Sequence, residues 1–411
     1  MHMQSRVKRL QWYLSLPQSK IRMLIAAIWA IPAVLLIRVL PVFREYQFGT
    51  FENRFIGHIT VDTAVQIAQL QGEDRSKNRW FWLGRTDNRQ WEAMLRRSLP
   101  VHRLVCPIEY WNRKLPGGDT HKFQSQWNDS RDLTGLIWST DCQPPFTPEE
   151  NAYCQSWLAS VGISLGEPFV TLIVRDGEYT AVTWPEDLSF HDYRNSDVET
   201  FIPAINWLAE QSVWVIRMGK IMKTPLRMRN HRVIDYSFRT DRNDLLDIWL
   251  MANATGCIST STGLDSVAVV YRRPILYLNA LSLGIWFSSA WSTWVPKDLR
   301  ESATGRVLSV YEHLDHVYSA SSQFHEAGLE VVALSPDEIL EEVQDWWKLM
   351  TDQVRESQTD IQMLDEFIFR LQSLPDTKHR HGWIHPGARL GRPWLRRRHD
   401  SDRSESNPKR F

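Results

Sequence analysis

From residue 44 onward, short apolar runs alternate with stretches in which apolar positions recur every three or four residues, the pattern of strands alternating with helices. Residues 44–51, 80–84 and 101–106 read as strands and 59–70 and 89–98 as helices, which together make one βαβαβ unit. Residues 111–132 break the alternation with Pro116-Gly117-Gly118-Asp119 and scattered aromatic and polar positions, as a long loop over a site does. A helix over 147–161 then leads into a glycine- and proline-containing linker at 162–168. The scheme repeats with strands at 169–174, 213–216 and 233–236 and helices at 198–210 and 244–254. Continuous apolar strands joined by helices predict a parallel sheet covered on both faces, with ligands beyond the carboxyl ends of the strands.

The next stretch organises the chain. Residues 256–258 read as a buried strand, Ser259-Thr260-Ser261-Thr262-Gly263 as a turn, 264–271 as a helix and 274–279 as a second buried strand. Hydroxyl side chains suit a helix entrance, where they satisfy unpaired N–H groups. With Gly263 allowing close approach, that entrance predicts a phosphate or diphosphate seat. The alternative is a capping box between Thr262 and Asp265 with nothing bound. Basic residues recur past neighbouring strand ends at Arg175, Arg217 and Lys220, with Arg194 nearby in sequence, and this convergence favours a diphosphate.

The first 44 residues differ. Arg6, Lys8, Arg9, Lys20 and Arg22 precede the first acidic residue, and residues 23–37 carry no charge. Without a small-residue cleavage site after it, this run predicts a retained anchor or an in-plane helix with its basic flank on the cytoplasmic side, against the alternative of a buried helix. The domain plan is then a membrane-associating segment at 1–44, Rossmann-like units at 45–165 and 166–350, a helix at 351–375 and a basic flexible tail at 376–411.

Composition narrows the function. The 411 residues hold 48 basic and 48 acidic side chains, a balance that argues against general nucleic-acid binding. Cys106, Cys142, Cys154 and Cys257 show no metal or redox spacing and read as reduced thiols. There is no Walker A sequence and no His-Glu-x-x-His helix. His379, His381 and His385 sit among Pro, Gly and Arg, and Asp400-Ser401-Asp402 beside Arg396-Arg397-Arg398, so both read as tail rather than metal sites. The abundance of Trp, 20 residues, suits carbohydrate stacking or a membrane interface.

Two Rossmann-like domains facing a cleft, with the diphosphate site in the second, describe an α/β protein of GT-B-like form with an N-terminal apolar helix. The chain resembles an uncharacterised bacterial family of GT-B-like glycosyltransferases of surface-polysaccharide clusters, over roughly residues 44–350. The resemblance rests on Arg54-Phe55-Ile56-Gly57-His58, His191-Asp192-Tyr193-Arg194-Asn195-Ser196-Asp197, Arg217-Met218-Gly219, the Ser259 to Gly263 turn with the strand ending at Asn279, Val295-Pro296-Lys297 and the helix start at Ser335. It implies transfer of a sugar from a nucleotide-diphosphate donor to a surface or lipid-linked glycan, without metal or cofactor, at the cytoplasmic face of the bacterial inner membrane. The competing class is a non-catalytic nucleotide- or glycan-binding component of a polysaccharide assembly complex.

The candidate base is His58, whose ordinary pKa suits deprotonation of an acceptor hydroxyl, with Asp87 and His121 as alternatives. Arg175, Arg194, Arg217, Ser259, Thr260, Ser261, Thr262 and Gly263 are the donor diphosphate candidates. Asn279 and Trp291, the latter in the aromatic segment 281–294, are candidate contacts for sugar or base.

Overall fold

The computed structural model describes residues 20–51, 55–72, 78–84, 86–124, 127–128, 130–183, 189–375 and 380–405. The basic cluster before residue 20, Arg54 and His379 lie outside these residues. Two α/β units line one cavity, and they are unequal.

The first unit follows the apolar helix α1 (Lys20–Val39). Strand β1 (Tyr46–Phe51) pairs in parallel with β2 (Asn78–Leu83) through the crossover helix α2 (Ile56–Gly72). After α3 (Arg89–Ser98) the expected third strand shrinks to a single bridge between Val101 and Phe81. The chain turns there into α4 (Val105–Lys114), because Pro107 fits the first turn of a helix and would break a strand ladder. A short antiparallel ribbon, β3 (Trp127–Asn128) and β4 (Arg131–Asp132), punctuates the long loop. Helix α5 (Pro148–Ser160) opens with a capping box between Thr147 and Glu150.

The second unit is built on β5 (Phe169–Ile173), α6 (Ile202–Glu210), β6 (Trp214–Arg217), β7 (Val233–Asp235), α7 (Asp244–Asn253), β8 (Gly256–Ser259), α8 (Asp265–Val270), β9 (Ile275–Leu278) and β10 (Ser292–Val295). Beyond the sheet come the antiparallel pair β11 (Asp298–Glu301) and β12 (Leu329–Val332), then α9 (Pro336–Met350), α10 (Gln358–Ser373), β13 (Arg389–Leu390) and α11 (Arg392–Glu405). Among the described residues the large sheet has seven parallel strands in the order β13-β10-β9-β8-β5-β6-β7. Strands β5, β6, β8 and β9 are buried along their whole length, as their uninterrupted apolar runs require. The chain runs outward from β5 in one direction and from β8 in the other, so the topological switch point lies between these two neighbours.

Two expectations change. Residues 380–405, read as a flexible tail, belong to the fold: β13 pairs beside β10, and α11 buries Trp394 and Leu395. Arg392 pairs with Asp345 at 2.6 Å, Arg396 with Asp360 at 2.7 Å, and Arg398 with Asp298, so the basic cluster is matched by acidic partners far away in sequence. The aromatic segment 281–294 divides, with Trp286 and Trp294 fully buried in the core. That core is continuous from Phe81 and Trp91 of the first unit to Trp294 and Trp394 of the second.

Candidate functional site

A cavity of about 640 Å³ opens between the two units, over the carboxyl ends of β5 and β8. The first turn of α2 forms one wall, and the residues that follow β5, β6 and β8 form the other. The walls meet at two glycines. A Cβ on Gly57 would stand 2.9 Å from Cα of Gly263, so only hydrogen-sized side chains permit this approach.

The hydroxyl turn is tied together from within. Ser259 Oγ donates to Asp265 at 2.6 Å and accepts from the Ser261 N–H at 3.1 Å, while the Thr262 N–H donates to Asp265 at 2.7 Å. Thr260 Oγ1 accepts from the Arg175 N–H at 2.9 Å and so fastens β8 to the end of β5. Ser259 and Thr260 are buried and hold the loop without lining the cavity. Ser261, Thr262 and Gly263 do line it, Ser261 in the left-handed region at φ 61°. The Thr262 hydroxyl is buried and has no hydrogen-bond partner among the described residues. Burial lifts the Asp265 carboxyl to about 6, against the pull of the Ser259 and Thr262 hydrogen bonds.

Arg175 and Arg194 stand side by side on this wall. Arg194 donates to the Ser261 carbonyl at 2.5 Å, and Arg175 Nε to Asn195 Oδ1 at 3.1 Å. The adjacent carboxylates are engaged elsewhere: Asp192 accepts from Asn195 at 2.8 Å, and Asp176 from the Lys223 N–H at 2.7 Å. Among the described residues no carboxylate forms an ion pair with either arginine. Burial and then the nearby Arg194 lower Arg175 to about 10. His191 completes the group. Its Nδ1 is buried without a hydrogen-bond partner among the described residues, and burial, Arg194 and Arg175 in that order depress its pKa.

Across the cavity, His58 in the first turn of α2 has its Nδ1 2.6 Å from Ser130 Oγ. Ser130 is held at φ 64° between β3 and β4. Of the alternative bases, Asp87 lines the cavity and accepts from the Tyr179 hydroxyl at 2.9 Å, whereas His121 lies away from it, bonded to the Tyr46 carbonyl at 2.7 Å.

Besides Ser259, Thr260 and His121, three more candidates do not reach the cavity. Arg217 is 1% exposed and spent on the Thr224 carbonyl at 2.7 Å and Asp235 at 3.2 Å, although Gly219 and Lys220 just beyond it do line the wall. Asn279 is buried at φ 57° with its Oδ1 accepting the Leu334 N–H at 2.8 Å. Trp291 faces outward beside Gly387. Phe287 of the aromatic segment does line the wall, and Arg131 and Tyr277 enter it unannounced, the Arg131 guanidinium lying 3.8 Å from the centre of the Phe287 ring. A ribbon of two-residue strands leaves no periodicity from which Ser130 and Arg131 could be picked out. Among the described residues no group of three or more His, Cys, Asp or Glu side chains is placed to hold a metal ion.

No protein-family model matches the chain, and no curated protein is similar to it in sequence. Among solved structures it is similar to the ADP-heptose lipopolysaccharide heptosyltransferase II of E. coli, with 11% identity and a TM-score of 0.43 over 75% of this chain and 100% of that one. It is also similar to a family 9 glycosyl transferase from Veillonella parvula, with 9% identity and a TM-score of 0.38 over 57% of this chain and 80% of that one. A third is a proposed UDP-N-acetylglucosamine 2-epimerase from Listeria monocytogenes, with 9% identity and a TM-score of 0.36 over 83% and 100%. Two of these are transferases by name and the third an epimerase, so the residues of the cavity itself must decide the reading.

Proposed function

We propose that the protein is a glycosyltransferase that moves a sugar from a nucleotide-diphosphate donor to a surface or lipid-linked glycan, at the cytoplasmic face of a bacterial inner membrane. The observation that carries this reading is the pair Arg175 and Arg194, two neighbouring guanidiniums at the switch point of a parallel sheet with no carboxylate paired to either among the described residues. Like charges held together are unfavourable until an anion sits between them, and arginine forks match diphosphate oxygens. The Thr262 hydroxyl and the N-terminal turn of the 17-residue α2 add a donor and a favourable dipole on the two walls.

In this reading His58, oriented by Ser130, takes the proton from an acceptor hydroxyl as that oxygen attacks the anomeric carbon. The bond from that carbon to the diphosphate oxygen breaks, and the guanidiniums balance the charge left on the diphosphate without a metal ion. Phe287, half-buried with Tyr277 packed behind it, offers aromatic surface to the sugar or base.

The test is calorimetry with UDP and ADP on Arg175→Met and Arg194→Met, beside transfer assays on His58→Ala with a panel of nucleotide sugars. Each arginine change should weaken nucleotide binding by roughly 1.5–3 kcal/mol. His58→Ala should keep binding and lose about 10²–10⁴-fold in transfer. Folded arginine variants that bind as the parent does would remove the diphosphate site. Tight binding with no transfer from any donor would leave a nucleotide-binding protein instead.

A further inference from the structure

Helix α1 is long and apolar enough to cross a bilayer, with 20 residues and a mean hydropathy of 2.0 over its most apolar window. Its packing gives a different answer. Met23, Ala30 and Val34 form one buried face, and that face rests on α4. The two helices are fastened near both ends of α1: Trp111 Nε1 donates to the Met23 carbonyl at 2.9 Å, and Arg38 donates to Asn112 Oδ1 at 2.9 Å and to the Asn112 carbonyl at 2.7 Å. Ala30, midway along α1, is fully buried. Were α1 to span, α4 would be carried to the middle of the hydrocarbon with Glu109, Asn112, Arg113 and Lys114, together with the β1 and β2 backbone it covers.

The opposite face of α1 is an apolar stripe open to solvent. Ile21, Leu24, Ile28, Leu35 and Val39 follow one another at helical spacing, and Ile28 is 82% exposed. Lys20 and Arg22 flank the stripe at one end and Arg44 at the other, the placement that meets anionic headgroups on either side of a buried apolar face. A helix apolar on both faces, one covered by protein and the other bare, suits a lipid surface better than water.

We propose that α1 lies in the plane of the membrane and seats the body on one leaflet, with the start of the chain and the catalytic units on the same side. The occupant of the stripe is a lipid surface carrying anionic headgroups.

Two measurements on the full chain test this. In flotation with phosphatidylcholine vesicles, with and without phosphatidylglycerol, the parent should rise with the lipid and bind the anionic vesicles more strongly. The combined change Leu24→Glu, Ile28→Glu and Leu35→Glu should lower the floated fraction at least tenfold while keeping the parental melting temperature, since these side chains contact little protein. In inverted membrane vesicles, epitopes at the N-terminus and the C-terminus should be digested together by added protease. An N-terminal epitope protected while the C-terminal one is cut would overturn the proposal in favour of a span. A parent that stays in the aqueous phase would overturn it too, including one whose light-scattering mass is doubled and returns to a single copy in the triple variant. Both measurements stand apart from sugar transfer, so either idea can fail alone.

Discussion

His191 is the residue where the electrostatics of the cavity become measurable. It faces Arg175 from the end of β5 and Arg194 and Asp192 from its own turn, while the Ser319 backbone favours its protonated form and the Phe190 ring lies tilted against it. Its depressed pKa means that the folded protein without ligand holds the ring neutral near pH 7. A bound diphosphate reverses the sign of the local field and raises that pKa, so binding should take up a proton and tighten as pH falls, by up to tenfold per pH unit between the two pKa values. Calorimetry of UDP in buffers of different ionisation enthalpy reads the proton directly, and His191→Asn should abolish the uptake. The same uptake in the variant would rule the residue out. The cavity-lining residues legible in the sequence are those just past a strand end, such as Arg175 and Ser261. Arg217 obeys the same rule by number and fails it by one position: it is the last residue of β6, where a side chain points to a sheet face, and only residues beyond the end reach over the edge.

At the scale of the element, α11 depends on a buried acid. Glu342 of α9 accepts the Trp394 N–H at 2.6 Å, and its other oxygen occupies the space where a Cβ on Gly391 would be. Burial raises the carboxyl from 4.5 to about 8, with Arg397 opposing. A carboxyl whose folded pKa lies above its unfolded one supports the fold below the unfolded value, and that support is lost as pH rises through the folded value. Between pH 5 and 9 the parent's melting temperature should therefore fall more than that of Glu342→Gln, which keeps an oxygen to accept from Trp394. Parallel curves would show that the group does not titrate in this range. None of this could be read from the sequence, because the Arg-rich segment declares its charge but not its partners on α9, α10 and β11. The third strand expected at 101–106 was misjudged for a local reason, since β-branched residues outvoted Pro107.

For the whole molecule, the alternation of apolar runs and helical periods was enough to predict two α/β units, but not that they share one interior. With α2 lying on α8 and α3 on α7, the units are not beads joined by a linker. Gly57 and Gly263 mark a close backbone approach of the two, so Gly57→Ala should act on both units at once. The added methyl cannot be absorbed by a flexible side chain and should cost about 1–3 kcal/mol. It should also weaken UDP binding, because the walls of the cavity are pushed apart. A variant with parental melting and binding would mean that the units already slide past each other freely.

The strand order has a consequence during synthesis. The β10 edge of the large sheet is covered by β13, some hundred residues later in the chain, and α11 docks on α9 and α10 later still. Until those residues leave the ribosome, the growing chain carries an uncovered parallel edge beside Trp294 and an unfilled place for Trp394. Such an edge is a template for pairing with other chains. Chains arrested before residue 389 should therefore be captured by holdase chaperones much more than chains that extend past α11 and close the edge with β13.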